Sequence, residues 1–577
     1  MKKVLIGGAV AAAVAAGLYY SNQGAGGGES MAELDYVPAD TVFFASQLKP
    51  FPYKQYAQLL PSDMMSSGTD EELTQAIERA KAQGNVNAVF FFELLNQYES
   101  SVRDGSYTQT WGIGNDLRYL GYAIGLMPVM RAELEQPQNF INTLKKAADN
   151  AGVSYADESL NSQSYTRFTL ALDDSSSVAI IAAIKDNWLT VTLDSEFNNQ
   201  DDLALALATE KAQTSLNSSN RVNDYINKYQ WDGSSISYVN FEALASAAVA
   251  DKPSRLSSML DAILTKMGQA QAMQALRTPG CKADIPAIAA KWPAIVSGTS
   301  NVKVSDSSAD FDADIVIEST DKDILSALQT VRGFIPSHVT NKDDGLFSVG
   351  YGVDVGKLAP LANTVWSAFT QAEFTCEPLM MAQQQAKQSN PMAMAMATGM
   401  AAGVKGISVS VQNVVMDFSG YTPQVSDIDA LVTLSADDPT TLINTAKGLM
   451  PQLAQIEIPS DGTPISMNEI MPVPASVNVD AQLAINGQHI TVYNGEKSTA
   501  LAADMSSQAV DANGVLGMSL QFAPMMDIVL EAAASTGEEL PPEIHSWAKQ
   551  NMKLSLTTDI TDNGIEMKSE TNISKSK

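Results

Sequence analysis

The chain has 577 residues, 45% of them hydrophobic, so it can form several globular domains with buried cores. Its 36 Lys and Arg residues against 65 Asp and Glu residues give a net charge of −29. This charge repels phosphate backbones and anionic headgroups, and the sequence therefore predicts no nucleic-acid partner.

The N-terminus has the composition of a targeting segment. Two lysines, Lys2 and Lys3, precede an uncharged run from Val4 to Tyr20, and a glycine-rich stretch follows. We interpret residues 1–22 as a signal or membrane anchor and residues 23–33 as a flexible linker.

The run in residues 4–20 is short enough for a cleaved signal and nearly long enough to span a membrane. Tyr19 and Tyr20 are placed for a membrane interface, and Asn22 and Gln23 weaken a cleavage site, which favours an anchor. We therefore predict a bacterial inner-membrane protein whose body lies in the periplasm, or a periplasmic protein if the signal is cleaved.

The chain contains two cysteines, Cys281 and Cys376. In an oxidising compartment such a pair favours a disulfide, and two unrelated buried thiols are the alternative.

Two stretches of sequence recur about 300 residues apart in the same order. PQNFINTLKK (137–146) returns as PTTLINTAKG (439–448), and AIKDNWLTVT (183–192) returns as AINGQHITVY (484–493). The nearly equal spacing, 302 and 301 residues, indicates a tandem duplication.

The first repeated stretch has the pattern of an amphipathic helix beginning at a proline. Its apolar stripe comprises Phe140, Ile141, Leu144 and Ala148. A packing role is favoured over a ligand site at Asn142 or Asn444.

Four strand-like openings that lead into helices suggest four units. We predict a first half at 34–338, with its second unit from about residue 236, and a second half at 339–577, with its second unit from about residue 515. Each unit ends in a pair of predicted strands. The last pair is joined by the turn sequence DNG at 562–564. The predicted fold class is α+β, with tandemly duplicated units of mostly antiparallel sheet covered by helices.

The anchor followed by DYVPADTVFFASQLKP resembles the opening of large, poorly characterised bacterial envelope proteins. The resemblance covers about forty residues. It implies an exported location and supplies no activity and no site residues.

The sequence contains no recognisable catalytic motif. Its three histidines, His338, His489 and His545, have no metal-binding spacing, and there is no nucleophile elbow or phosphate-binding loop. We therefore predict a protein that is not an enzyme and has no cofactor, with a carboxylate-dependent hydrolase as an alternative.

Acidic clusters are interpreted mainly as solvated faces and helix caps, with weak Ca²⁺ binding as the alternative. The clusters are Asp310, Asp312 and Asp314; Asp343 and Asp344; Asp437 and Asp438.

A methionine-rich segment follows Pro391. Its methionines are Met392, Met394, Met396 and Met400. Three of them share one side of a predicted helix, which is compatible with a buried helix, an apolar contact surface or a Cu(I) site.

The sequence thus favours a non-catalytic, membrane-anchored protein that binds, scaffolds or chaperones another envelope protein. The main alternative is a periplasmic carrier of an apolar ligand or lipid, held in a groove between sheet and helices.

Overall fold

The computed structural model describes most of the chain after the N-terminal segment. The described residues are 31–60, 70–173, 176–250, 254–388, 398–399, 401–417, 424–449, 457–470, 479–536, 540, 544 and 550–575. Within them, no helix is both long enough and apolar enough to cross a membrane. The predicted anchor in residues 4–20 lies outside the described residues.

The chain divides into two compact units, residues 1–313 and 314–577. The division falls inside one strand, Ser308–Glu318. The duplication boundary predicted at 338/339 falls instead in the 3-10 turn Ser337–Thr340.

The first unit is built on an antiparallel sheet. Its strands are β1 (Phe43–Phe51), β2 (Leu117–Ile124), β3 (Met127–Glu133), β4 (Ser154–Leu160), β5 (Gln163–Asp173), β6 (Ser176–Lys185), β7 (Trp188–Asp194), β8 (Ser235–Asn240) and β9 (Ala294–Val304), followed by β10 (Ser308–Glu318). The order across the sheet is β4-β5-β6-β7-β3-β2-β1-β8-β9, and each of these pairings is antiparallel.

Helices cover this sheet. They are α1 (Tyr53–Ala57), α2 (Asp70–Ala82), α3 (Val86–Arg103), α4 (Tyr107–Trp111), α5 (Pro137–Ala151), α6 (Gln200–Ala206), α7 (Arg221–Tyr229), α8 (Phe241–Val249), α9 (Arg255–Lys266), α10 (Ala270–Leu276) and α11 (Pro279–Ala289). The main core lies between the sheet and α3 and α5, where Phe90, Leu144 and Phe168 are buried. On the other face, Leu203 and Leu207 pack against Ile181.

The second unit contains a further antiparallel sheet. Its strands are β11 (Phe347–Gly352), β12 (Val404–Asp417), β13 (Gln424–Ala436), β14 (Ile465–Ser466), β15 (Gln482–Asn486), β16 (His489–Asn494), β17 (Leu516–Gln521), β18 (Gln550–Thr561) and β19 (Gly564–Lys575). The order is β14-β15-β16-β13-β12-β11-β17-β18-β19.

Helices also cover the sheet of this unit. They are α12 (Lys322–Gln329), α13 (Val355–Thr370), α14 (Glu377–Lys387), α15 (Pro439–Leu449), α16 (Met467–Ile470), α17 (Glu496–Asp504) and α18 (Phe522–Thr536). Helices packed on antiparallel sheets define the α+β class, which confirms the predicted fold class.

The strand order of the first unit is repeated in the second. The sequence β6-β7-β3-β2-β1-β8-β9 corresponds step by step to β15-β16-β13-β12-β11-β17-β18. The register also agrees, since Ala132 faces Leu189 and Leu434 faces Ile490 in the two equivalent ladders. The recurring sequences therefore mark equivalent places. Descent of both units from one ancestral unit stays a prediction.

The repeated helix has the predicted stripe in the first unit. In α5, Ile141, Leu144 and Ala148 are buried, whereas Asn142 is exposed. The stripe also includes Thr143, whose hydroxyl donates to the Asn139 carbonyl. The DNG sequence forms the predicted hairpin turn, in which Thr561 faces Gly564.

Neither cysteine is free. Cys281 in α11 and Cys376, which precedes α14, are both disulfide-bonded and fully buried. Because the sequence contains no other cysteine, the predicted disulfide is confirmed.

Replacing both cysteines with alanine should lower the free energy of unfolding by about 4 to 5 kcal/mol, because the bond closes a loop of about 95 residues and restricts the unfolded chain. Urea unfolding of the wild type and of the Cys281→Ala/Cys376→Ala variant measures this difference. Two titratable thiols in the wild type, denatured without reductant, would contradict the assignment.

Candidate functional site

An apolar cavity of about 460 Å³ lies between α15 and the sheet of the second unit. This volume is within the range of small-molecule and peptide pockets, about 300 to 1,000 Å³. The cavity, called the α15 groove below, is lined by Ala401, Val404, Ile407, Leu434, Leu442, Thr445 and Ala446. Only Thr445 among these carries a polar side chain.

Strand pairing and a helix cap position the lining of the groove. Ile407 of β12 faces Leu434 of β13, so both side chains lie on the same face of the sheet. The helix above them begins at Pro439, directly after Asp438, whose carboxylate accepts hydrogen bonds from the amide and hydroxyl of Thr441. These hydrogen bonds lower the pKa of the Asp438 carboxyl, so it caps α15 in its charged form.

In the first unit the equivalent place is closed. Tyr119 faces Ala132 there, as Ile407 faces Leu434 in the second unit. Both Tyr119 and Ala132 are buried together with Leu144 of α5. The aromatic ring of Phe90 from α3 belongs to the same core and is fully buried. The lining of the α15 groove is therefore the counterpart of a filled hydrophobic core.

In the second unit the counterparts are open. Ile407 is 47% exposed, and Leu434 and Ala446 are half-buried. On the same sheet face Tyr351 is 53% exposed and Val432 is 38% exposed. Contiguous exposed apolar residues of this kind mark binding surfaces more often than isolated ones do.

The charged groups at one end of the groove are mainly acidic. Lys405, next to Val404 in the chain, forms ion pairs with Asp354 at 2.7 Å and with Asp437 at 3.1 Å. One ammonium group is thus shared by two carboxylates. Hydrogen bonds to these aspartates raise the pKa of Lys405 against the opposing effect of burial, so its charge is retained.

The opposite face of the same sheet is buried and carries hydroxyl groups. Ser348 faces both Ser410 and Ser519, and Ser408 faces Thr433. All five are at most 3% exposed, and in the described part of the chain their hydroxyls have no hydrogen-bond partner. The segment that covers this layer places Ile335 and Val339 close to Gly350 and Gly517, where an added Cβ would lie 3.1 to 3.5 Å from their methyl groups.

A serine and a histidine contact each other beside this layer. The Ser435 hydroxyl lies 2.8 Å from His489 Nδ1, and His489 Nε2 lies 2.8 Å from the Gln508 carbonyl oxygen. Since the carbonyl only accepts, Nε2 donates to it and Nδ1 accepts from Ser435. Burial lowers the pKa of His489, which keeps the imidazole neutral.

This pair has the elements of an activated nucleophile, but it has no access for a substrate. Ser435 and His489 are at most 1% exposed, and the Phe334 ring lies 5.2 Å from the imidazole. A structural hydrogen bond between β13 and β16 accounts for the arrangement.

The described acidic clusters are engaged in hydrogen bonds, ion pairs and a cap. Asp312 accepts from Asn301, Asp343 from Lys553 and Asp344 from Asn341. The pKa of Asp343 is lowered by its bond with Lys553. No group of three or more His, Cys, Asp and Glu side chains in the described residues is placed to hold a metal ion.

The predicted methionine contact surface lies outside the described residues. These methionines are Met392, Met394, Met396 and Met400. Ala401, the residue after Met400, is described and lines the α15 groove. His545 also lies outside the described residues.

A groove between sheet and helices was predicted only as part of the carrier alternative, and none of its lining residues was named, although the repeat contained a signal for them. The stretch PQNFINTLKK has leucine at 144, and its copy PTTLINTAKG has alanine at the equivalent position 446. A smaller side chain at a core-facing position leaves space between helix and sheet.

Comparison with known proteins gives no match. No family model fits the chain, and neither a curated protein nor a solved structure is significantly similar to it. The resemblance to envelope proteins stays a prediction.

Acid should destabilise the second unit through His338. Burial lowers the pKa of His338 from 6.5 to about 4, so the folded chain keeps this histidine neutral while the unfolded chain binds a proton. Its contribution is complete above about pH 6.5 and is lost as the pH falls to about 4, with a total of about 3 kcal/mol.

Urea unfolding of wild type and His338→Gln over this pH range tests the effect. On acidification the free energy of unfolding of the wild type should fall by about 3 kcal/mol more than that of His338→Gln. Carboxylate titration is common to both proteins and cancels in this comparison. Parallel stability curves would show that His338 does not titrate as described.

Proposed function

We propose that the protein is a non-catalytic, membrane-anchored periplasmic protein that binds another envelope component through the α15 groove. The single observation that carries the proposal is the groove itself, an apolar recess with exposed Ile407 where the equivalent place of the first unit is a closed core. Leaving such a surface in water forfeits hydrophobic stabilisation, which a binding partner restores.

The lining favours binding over chemistry. Six of the seven residues that line the groove are apolar, and none of them is acidic, basic or nucleophilic apart from the hydroxyl of Thr445. A non-polar recess of this composition desolvates an apolar group but offers no acid, base or oxyanion donor.

A carrier of an apolar ligand is the second candidate. The volume of about 460 Å³ favours it, since this volume is sufficient for a small apolar molecule. Native mass spectrometry of the purified protein distinguishes the two candidates, because a carrier retains a lipid-sized mass and a protein-binding module retains none.

Introducing a carboxylate into the groove should abolish binding. In Ala446→Glu the charged side chain would lie in an apolar recess. A bound partner would bury this charge, which costs several kcal/mol, so binding should be lost. Asn444→Glu adds the same charge on an exposed position of the same helix and serves as the matched control.

The measurement is photo-cross-linking in cells with a photoreactive residue in place of Ile407. Capture of a specific neighbour should fall at least about tenfold in Ala446→Glu, a loss of about 1.4 kcal/mol or more, and persist in Asn444→Glu. Equal capture by both variants would refute a role for the groove.

Membrane attachment is tested by deleting residues 1–22. We expect the full-length chain to sediment with membranes and to resist extraction by high salt, because an apolar span is not held by charge. The shortened chain should be soluble. Salt extraction of the full-length chain would reject the anchor.

A further inference from the structure

A buried arginine lies on the sheet of the first unit, on the face opposite to α5. Arg131 of β3 is 2% exposed, whereas the next residue, Ala132, belongs to the core under α5. Since successive residues of a strand point to opposite faces, the Arg131 guanidinium lies away from that core. Its central carbon lies 5.2 Å from the centre of the Tyr36 ring and 5.3 Å from that of Trp188. A charge buried in this way requires a counter-ion.

The counter-ion comes from the segment that precedes the first strand. Glu33, in the 3-10 turn Met31–Tyr36, places a carboxylate oxygen 2.6 Å from Arg131 Nη1. Within the described part of the chain, no other acidic side chain pairs with Arg131. Burial raises the pKa of the nearby Tyr122 phenol to about 12, so it stays neutral and supplies no charge. The charge balance of this buried place therefore depends on Glu33.

Apolar contacts and a main-chain hydrogen bond hold the same segment. Leu34 is 1% exposed and Val37 is fully buried. The Leu216 amide donates to the Val37 carbonyl at 2.7 Å. Residues 31–41 are thus part of the folded first unit, and Glu33 is fixed in position beside Arg131.

The second unit has a neutral residue at the equivalent place. Thr433 precedes Leu434 as Arg131 precedes Ala132, and each of the two faces a threonine of the neighbouring strand. Neutral groups hold the segment before the first strand there. The Asn513 side chain accepts from the Ile335 amide and donates to the Ile335 carbonyl, each at 2.8 Å. A unit with this strand order therefore forms without a buried ion pair at this position.

We propose that Glu33 and Arg131 form a latch that makes the folding of the first unit depend on an intact N-terminal segment. Cleavage of the chain before Met31 leaves the latch closed and the body folded. Cleavage after Glu33 leaves a buried guanidinium without its counter-ion, which is strongly destabilising, so the first unit unfolds and is degraded. The latch thus limits where the chain can be processed. It does not involve the α15 groove, so its failure leaves the proposed function untouched.

Protease susceptibility of the full-length chain in detergent tests the latch. We expect Glu33→Gln to raise the rate at which thermolysin cleaves within β1 to β9 at least about thirtyfold, because cleavage there follows the population of the unfolded unit. Asp35→Asn is the matched control in the same turn. Asp35 pairs with Lys211, which is 64% exposed, so this rate should change by less than about fivefold.

A second substitution separates the charge from the packing. Arg131→Met keeps a long side chain between Tyr36 and Trp188 but removes the charge. In this background Glu33→Gln should not raise the cleavage rate, since no buried guanidinium is left unpaired. The same increase in both backgrounds would overturn the latch, because the effect would then be a loss of packing.

The N-termini of the chain recovered from cells test the latch without any substitution. Mass spectrometry should find that every stable product containing the first unit begins at or before Glu33. A body that persists in cells and begins between Leu34 and Thr41 would contradict the proposal, because its Arg131 would be unpaired.

Discussion

An antiparallel sheet with apolar residues on the face toward its helices is stable in water only when that face is covered, and both units depend on this constraint. In the first unit α3 and α5 cover much of it, so Tyr119, Phe168 and Leu144 are buried together. Burying a side chain of this size contributes about 1.5 to 3 kcal/mol.

The second unit has the same strand register, but the apolar face of its sheet is left open at the equivalent place. Ile407 faces Leu434 as Tyr119 faces Ala132, yet Ala446 takes the place of Leu144. In a closed core, a change from leucine to alanine costs about 2 to 5 kcal/mol, because part of the cavity stays unfilled. At the surface of a groove the same change creates room for a ligand. One framework therefore supports a closed core in one unit and a binding surface in the other.

The two faces of the second sheet have opposite properties. One face is apolar and open at the α15 groove, whereas the other is buried and carries the hydroxyls of Ser348, Ser410 and Ser519. An unpaired buried hydroxyl costs about 1 to 3 kcal/mol, so this layer does not stabilise the unit by itself. The close approach of Ile335 and Val339 to Gly350 holds the covering segment in place.

Much of the architecture was predictable because it depends on local pattern. The amphipathic stripe of α5 and the DNG turn follow from spacing and turn chemistry. The hairpin formed by β4 and β5 was not predicted. All residues of β4 except the half-buried Leu160 are exposed, so it lacks the alternation that marks a half-buried strand.

The sequence by itself determined the fold class, the repeated order of elements, the presence of a disulfide and the acidic character of the chain. The tertiary structure alone decided that Ala446, Ile407 and Leu434 meet at an open groove and that Ser435 and His489 are buried. The physical reason is that periodicity fixes which face of an element is apolar. Whether that face is filled or open depends on side chains from distant parts of the chain, which only folding brings together.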